Sequence, residues 1–266
     1  MNGLQTARRF VCAALFACAL TAPLCAHGQP AARYTPDVQR IIDRGELVVA
    51  LYANDTYPLF YTADDGSLQG FDIALSRRIA SALGVRVRFD RSAPTTDGVL
   101  DVVLSGRADM GISLVSITPA RALRCRFSAP YLVLQTVLVE SRLAPQQNAA
   151  PVFAECSGTS YIDIARLLYP NARVQAVSDW DAACQAVLDG KAQYMLRDEI
   201  GVHNFVRNKQ RLALHLKFTP VAGFNDAIGI VLPPESAMLE NFLNAFLSLN
   251  GYPKDAQYVI GTYGAQ

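Results

Sequence analysis

Hydrophobic and polar positions switch between two rhythms along this chain. The run ELVVALY (46–52) is almost continuously apolar and β-favouring, while FDIALSRRIASALG (71–84) sets its apolar residues at helical spacing before a glycine stop at Gly84. VRVRF (85–89) alternates as a half-buried strand does. TTDGVLDVVLSG (95–106) predicts a helix capped by Thr95 or Thr96, and ADMGISLV (108–115) predicts a strand. A short helix over TPARALR (118–124) and a long extended run, YLVLQTVLVES (131–141), complete this half.

The rhythm then restarts. APVFAEC (150–156), ARVQAV (172–177) and AQYMLRD (192–198) predict strands, with helices between them over SYIDIARLLY (160–169) and SDWDAACQAVLDG (178–190). EIGVHNFVRN (199–208) predicts another helix, DAIGIVLP (226–233) a strand, and SAMLENFLNAFLSLNG (236–251) an amphipathic helix closed by Gly251. Repeated βαβ units imply parallel sheets flanked by helices. The restart near residue 142 predicts a second sheet, reached through the polar stretch APQQNAAP (144–151). The pattern leaves open whether the last strand and helix close the second sheet or return to the first.

Composition narrows the class. The 266 residues are 51% hydrophobic and 18% charged, enough for one large domain or two lobes. A formal charge of +1, with no run of like charges, excludes a nucleic-acid binder and a polybasic membrane patch. Arg8 and Arg9 precede the apolar FVCAALFACALTAPL, which is too short for a comfortable span, and the small residues of LCAHGQPAA follow. These features predict a signal peptide over residues 1–26, cleaved after Ala26, and an exported, soluble mature chain. Lipoprotein processing is a weaker expectation, because LFAC and APLC are poor lipoboxes. Three cysteines remain after cleavage: Cys125, Cys156 and Cys184. In an oxidising compartment they allow either one disulfide, with Cys156 and Cys184 the better-placed pair, or three buried thiols. His27, His203 and His215 are isolated, so neither a metal nor a cofactor is expected.

The residue with the least local justification is Arg121. Thr118 is a good N-cap and Pro119 suits the first helical position, which puts Arg121 third. A cation there is disfavoured by the helix dipole by roughly 0.3–1 kcal/mol. A planar guanidinium does suit a carboxylate, which it grips with two charge-assisted hydrogen bonds. Asp198 ends a predicted strand, where α/β sheets present their ligand crevice, and it could also cap the helix that follows.

Several motifs in order carry a family resemblance: RGELVVALY, YPLF (57–60), DGSLQGFDIALSRRIASALG, LSGRADMGISLVSIT, AR, FSAPY, SGTS (157–160), LDGKAQYMLRD and LENFLNAFLSLNGY. From about Ile41 to the C-terminus the chain resembles the bacterial extracellular solute-binding proteins of the polar amino-acid type, family 3. The resemblance implies a two-lobed, periplasmic-binding-protein-like (type II) α/β fold, each lobe a mainly parallel sheet flanked by helices and the two joined by two hinge crossovers. Lobe 1 would comprise residues 27–140 plus 222–266, and lobe 2 residues 141–221. It implies a monomeric periplasmic receptor that clamps an amino acid or related carboxylate and delivers it to the membrane permease of an ABC importer.

By the same resemblance, Arg121 grips the ligand carboxylate and Asp198 pairs with its ammonium. Ser116, with Ser113 beside it, also meets the ammonium. Thr159 and Ser160 supply the second lobe's contacts to the carboxylate. Tyr57 packs over the ligand, and Asn54, Asp55 and Asp72 are candidates for its side chain. Two positions depart from the pattern. Thr96 stands where an aromatic commonly forms a pocket wall, and Arg197 beside Asp198 would either neutralise that acid or reach an acidic ligand, so an Asp- or Glu-like ligand is expected. One rival is a periplasmic cyclohexadienyl (arogenate) dehydratase, but the glutamate that resemblance requires three residues after Asp198 is Gly201, and Trp180 is the only tryptophan. A signalling or adaptor module on the same fold is the other rival.

Overall fold

The computed structural model describes residues 34–143 and 150–264. The predicted signal peptide and most of the linker-like stretch lie outside the described residues. In chain order the elements are α1 (Pro36–Arg44), β1 (Glu46–Tyr52), β2 (Tyr61–Thr62), β3 (Leu68–Gln69), α2 (Phe71–Ala82), β4 (Arg86–Ala93), α3 (Thr96–Leu104), β5 (Met110–Gly111), α4 (Pro119–Ala122), β6 (Arg126–Phe127) and β7 (Leu132–Ser141). The second run is β8 (Val152–Cys156), α5 (Tyr161–Leu168), β9 (Arg173–Val177), α6 (Trp180–Leu188), β10 (Tyr194–Asp198), α7 (Glu199–Asn208), α8 (Gln210–Ala213), β11 (Leu216–Ile228), β12 (Val231–Leu232), α9 (Ala237–Leu249) and α10 (Ala256–Tyr263).

Two five-stranded sheets result, ordered β4-β1-β5-β12-β6 and β11-β7-β10-β8-β9, with β2 and β3 forming a small hairpin. In the first sheet β1 runs parallel to both β4 and β5, whereas β12 is antiparallel to β5 and β6. The last strand therefore returns to the first sheet. In the second sheet β8 runs parallel to β9 and β10, and β7 is antiparallel to β10 and β11.

The continuous apolar run of β1 reflects burial on both faces. Leu47, Val49 and Leu51 pack with Ile41, Ile73, Ile79, Leu239 and Leu243 from helices on one side. Val48 and Ala50 pack with Val99 and Val103 of α3 on the other. β8 repeats the arrangement, with Ala154 against Ala183 and Val187 of α6 and Phe153 against Ile164 and Ala165 of α5.

The structure departs from the pattern reading in specific places. The strand expected over 108–115 is only Met110–Gly111, because the chain turns away at Leu114, whose φ is 52°. The strand expected over 226–233 is two: β11 starts at Leu216, and Gly229 separates it from β12. A Cβ at Gly229 would lie 2.9 Å from Ile117, so the close approach of these segments needs glycine there. Helices α1, α8 and α10 were not among the predicted elements, although α1 is strongly amphipathic and buries Val38 and Ile41 on one face. Cys125, Cys156 and Cys184 are free and buried. Among the described residues no helix is long and apolar enough to cross a membrane.

Candidate functional site

The carboxyl ends of strands from both sheets converge on one cavity of about 110 Å³. Tyr52 ends β1, and Ser113, Leu114 and Ser116 follow β5. Thr159, Ser160 and Tyr161 follow β8, Trp180 opens α6, and Arg197 and Asp198 end β10. Thr96, Phe60, Gly201 and Asp226 also line it.

The loop after β5 is pinned to its surroundings. Ser113 Oγ accepts from the Tyr52 amide at 2.9 Å, and Ile117 donates its amide to Ala227 O at 2.8 Å. The Gly229 amide reaches Val115 O at 3.0 Å. These bonds lay the loop along the end of β11 and set Ser116 beside Asp226. Ser116 Oγ donates to Asp226 Oδ2 at 2.7 Å and shares a 2.8 Å hydrogen bond with Ser160 Oγ. Three buried side chains thus form one polar chain across the two sheets. Burial pushes the Asp226 carboxyl up to about 7; the Ser116 hydrogen bond and Arg121 oppose the rise, and neighbouring Asp198 adds to it.

Asp198 is buried and does two jobs. Its Oδ1 caps α7 by accepting from the Gly201 amide at 2.7 Å, and its Oδ2 accepts from the Tyr161 hydroxyl at 3.0 Å. A carboxylate offers about four lone-pair sites, so acceptor capacity remains. Thr159 Oγ1 donates to Cys156 O at 2.8 Å, which closes the turn before α5.

Arg121 is buried, but it does not line the cavity. Its Nε and Nη2 both donate to Asp97 Oδ1, at 3.0 and 2.8 Å, and its Nη1 donates to Ser116 O at 3.0 Å. The helix that bears it is a single turn capped by Thr118. The negative charge at this helix start is thus supplied by Asp97, in the first turn of α3.

Arg197 is placed differently. Its guanidinium carbon lies 3.8 Å from the centroid of the Trp180 ring. That is a close cation–π stack on the aromatic face. Its Nη1 is buried and meets no hydrogen-bond partner among the described residues. The space it fills exists because residue 201 is glycine: a Cβ there would come within 2.4 Å of Arg197 Nη2. Tyr161 meets Trp180 edge-on at 5.5 Å, which fixes the indole.

Besides Arg121, four expected ligand contacts, Asn54, Asp55, Tyr57 and Asp72, lie outside the cavity lining; Asp55 accepts from the Thr62 amide at 3.1 Å and pairs with Arg91. Asn54 is exposed and donates to the Tyr52 hydroxyl at 2.8 Å. Tyr57 sits at its rim, where its carbonyl accepts from Asn204 Nδ2 and its ring lies 5.0 Å from the Arg207 guanidinium. Asp72 is fully buried beneath the site. Burial raises its carboxyl to about 8; the Tyr131 hydroxyl and Leu114 amide offset part of that cost, though neither completes a hydrogen bond. Ser113, Ser116, Thr159, Ser160, Arg197 and Asp198 are brought together in the lining. Asp226, Trp180, Tyr161 and Phe60 were not singled out from sequence. A lone acid in the apolar run FNDAIGIVL was the available signal for Asp226.

A cavity closed between two helix-flanked sheets, joined by long antiparallel strands, defines a two-lobed binding-protein fold. The chain belongs to the bacterial extracellular solute-binding proteins, family 3, whose pattern it matches over residues 48–249. It is 36% identical over 98 residues to the L-cystine-binding protein TcyJ of Escherichia coli, covering 36% of this chain and 35% of that protein. It is 28% identical over 173 residues to the cyclohexadienyl dehydratase of Pseudomonas aeruginosa, covering 61% and 63%. The chain therefore spans about a third of the length of the cystine-binding relative and under two thirds of the dehydratase. Among solved structures, an ancestral amino acid-binding protein described as a precursor of cyclohexadienyl dehydratase aligns at a TM-score of 0.62 and 26% identity, over 85% of this chain and 95% of its own. The L-arginine-bound substrate-binding protein AbpA of Streptococcus pneumoniae aligns at 0.64 and 26%, over 79% and 91%.

Proposed function

We propose that the chain is a periplasmic receptor, exported with loss of residues 1–26, that holds a small amino acid or related carboxylate between its lobes and delivers it to the permease of an ABC importer. One observation carries this reading: the cavity between the lobes presents carboxylates, a guanidinium and hydroxyls from both sides. That is the complement a dehydrated zwitterion needs, since an unpaired buried charge is costly. The names of the cystine- and arginine-binding relatives support an amino-acid ligand. Lobe 1 is proposed as 27–140 plus 222–266 and lobe 2 as 141–221, acting as a monomer. The register break between β7 and β11 from Pro220 to Asn225 supports a crossover at the second boundary.

A thermal-shift panel of L-amino acids on the mature chain tests this proposal. A true ligand at a hundredfold excess over its Kd stabilises by about 2.7 kcal/mol. No shift with any member of the panel would overturn the receptor reading. The dehydratase relative supplies a second reading, and Asp226 is an acid held near neutrality in the cavity. Position 201, where the resemblance to dehydratases asks for glutamate, is Gly201, so we favour binding without turnover. Incubation with a carboxylated cyclohexadiene, followed by ultraviolet absorbance for an aromatic product, separates the two.

A further inference from the structure

Two acids share the cavity, and they are unequally satisfied. Asp198, at the end of β10, accepts from both the Gly201 amide and the Tyr161 hydroxyl. Asp226, near the end of β11, is equally buried and lines the same cavity. Among the described residues it accepts from one donor, the Ser116 hydroxyl at 2.7 Å. The groups facing it do little to hold it as an anion. Asp198 is close enough for its charge to be felt and disfavours a second negative charge. Tyr161, at the start of α5, is neutral and directs its hydroxyl at Asp198. Arg121, on α4, is the cation that Asp226 feels, but its ion pair is with Asp97 at 2.8 Å. Arg197 lines the cavity from β10, and its charge acts on the buried Glu155 carboxyl. Asp163, on α5, is exposed and lies 3.7 Å from Arg166, and β7 sets the uncharged Leu134 opposite Asp226. Together with burial, these surroundings favour the protonated acid, which titrates at about 7.

We infer that Asp226 is a second acidic partner, beside Asp198, for the ligand's ammonium, and that it gives up a proton to solvent as that ammonium arrives. This rests on the receptor reading above, leaves its account of the ligand's carboxylate as it stands, and couples binding to deprotonation. An ammonium set between the two carboxyls relieves their mutual repulsion and makes the second anion favourable. The amine keeps its three protons. The O–H bond of Asp226 breaks, its electron pair stays on the carboxylate, and the proton goes to buffer. Affinity for an amine-bearing acid therefore rises with pH until Asp226 ionises without help, and flattens above about 7. A hydroxy acid of the same shape brings no cation and meets a neutral, poorly matched wall, so the coupling also selects for the amine.

Calorimetric titration of the mature chain with L-alanine, L-serine, L-arginine and L-cystine at a pH of about 6.5, in phosphate and again in imidazole, tests the coupling. The two buffers take up a proton with different enthalpies, so the difference in binding heat counts the protons released. A probe that binds wild type should release about half a proton or more, as a carboxyl titrating at about 7 requires. Its affinity should rise about tenfold from about pH 5.5 to about pH 7.5. Asp226→Asn should abolish both the release and the pH dependence, and weaken binding about tenfold at the upper pH through loss of a charge-assisted bond. Glu155→Gln removes a buried acid that does not line the cavity, and should keep the release.

If Asp226→Asn does not fold, Ser116→Ala carries the test. It takes away the donor that lowers the Asp226 carboxyl, so the midpoint of the pH dependence should move upward. Equal binding heats for wild type in the two buffers would overturn the inference. So would an unchanged proton release in Asp226→Asn, its loss in Glu155→Gln, or an unmoved midpoint in Ser116→Ala, and each of these results leaves the receptor reading standing. Failure of wild type to bind any of the four probes would instead remove the receptor reading and the inference with it.

Discussion

The hydroxyls of Ser116 and Ser160 lie 2.8 Å apart, one from the loop after β5 and the other from the turn before α5. Ser116 also donates to Asp226, so the two serines are not equivalent. Removing Ser160 deletes one net hydrogen bond, about 1 kcal/mol. Removing Ser116 also strips a buried carboxyl of its donor, a penalty of about 1–3 kcal/mol. Ser116→Ala should therefore lower the unfolding free energy more than Ser160→Ala, as read by urea denaturation. Equal effects would show that Asp226 does not depend on Ser116.

The Asp226 carboxyl is raised from its usual range to about 7 by burial, so the folded chain holds a proton that the unfolded chain has released. The contribution to stability is full below about pH 4 and is lost as pH rises through 7. Asp226→Asn keeps an acceptor for Ser116 and cannot ionise. Its stability should exceed that of wild type at pH 8, by up to about 4 kcal/mol on the scale of 1.36 kcal/mol per pKa unit. The advantage should vanish near pH 4. Asp72, raised to about 8, contributes a slope of the same sign, so the single variant flattens the curve only in part. Melting temperatures across this range measure both effects.

Gly158, in the turn after β8, meets the start of α3. Asp97 donates its amide to Gly158 O at 3.1 Å, and a Cβ on Gly158, whose φ is +73°, would lie 2.8 Å from Thr95 Cβ. Gly158→Ala should oppose closure through the clash with Thr95, while its backbone strain of about 1 kcal/mol lowers the stability of the fold itself. Ligand affinity should fall about tenfold or more, with a smaller change in the melting temperature of the free protein, as a 1.4 kcal/mol penalty on the closed form requires. Titration calorimetry and small-angle scattering distinguish weakened closure from misfolding.

Asp97 holds a buried arginine from a half-exposed position, with 42% of its side chain open to solvent. Asp97→Ala leaves the Arg121 charge with one carbonyl. Breaking a fully buried pair costs about 3–5 kcal/mol, and solvent at Asp97 reduces this to about 1–2 kcal/mol. Chemical denaturation checks the figure. Added chloride or acetate should restore part of the loss in the variant and none in wild type.

Much of this molecule was legible before its coordinates, and the failures share a cause. The continuous apolar run of β1 and the spacing of α2, α3, α6 and α9 report burial within one element, and periodicity reads burial well. Asp198 was legible because a strand end and a helix start coincide there. Arg121 was legible as an anomaly, but its partner was not: Asp97 is 24 residues away and looks like any acid in a helix's first turn. Arg197 on Trp180 joins the end of β10 to the start of α6, which follows the edge strand β9, and nothing local announces the stack. Asp72 was a candidate for the ligand's side chain through the family resemblance alone. Its burial comes from long-range neighbours, Tyr131 and the turn at Leu114, which close over the start of α2.

The absent side chain at Gly201 has a consequence for how this pocket can change over generations. A Cβ at 201 would come within 2.4 Å of the Arg197 guanidinium and make that flexible side chain shift on the indole, while loss of Arg197 would leave that volume open to a new group. The two positions are therefore coupled, because a side chain at 201 and the Arg197 stack compete for one volume. A lineage that keeps this arginine on the indole favours a glycine four residues on, and a side chain at 201 is accommodated most easily once that stack is given up.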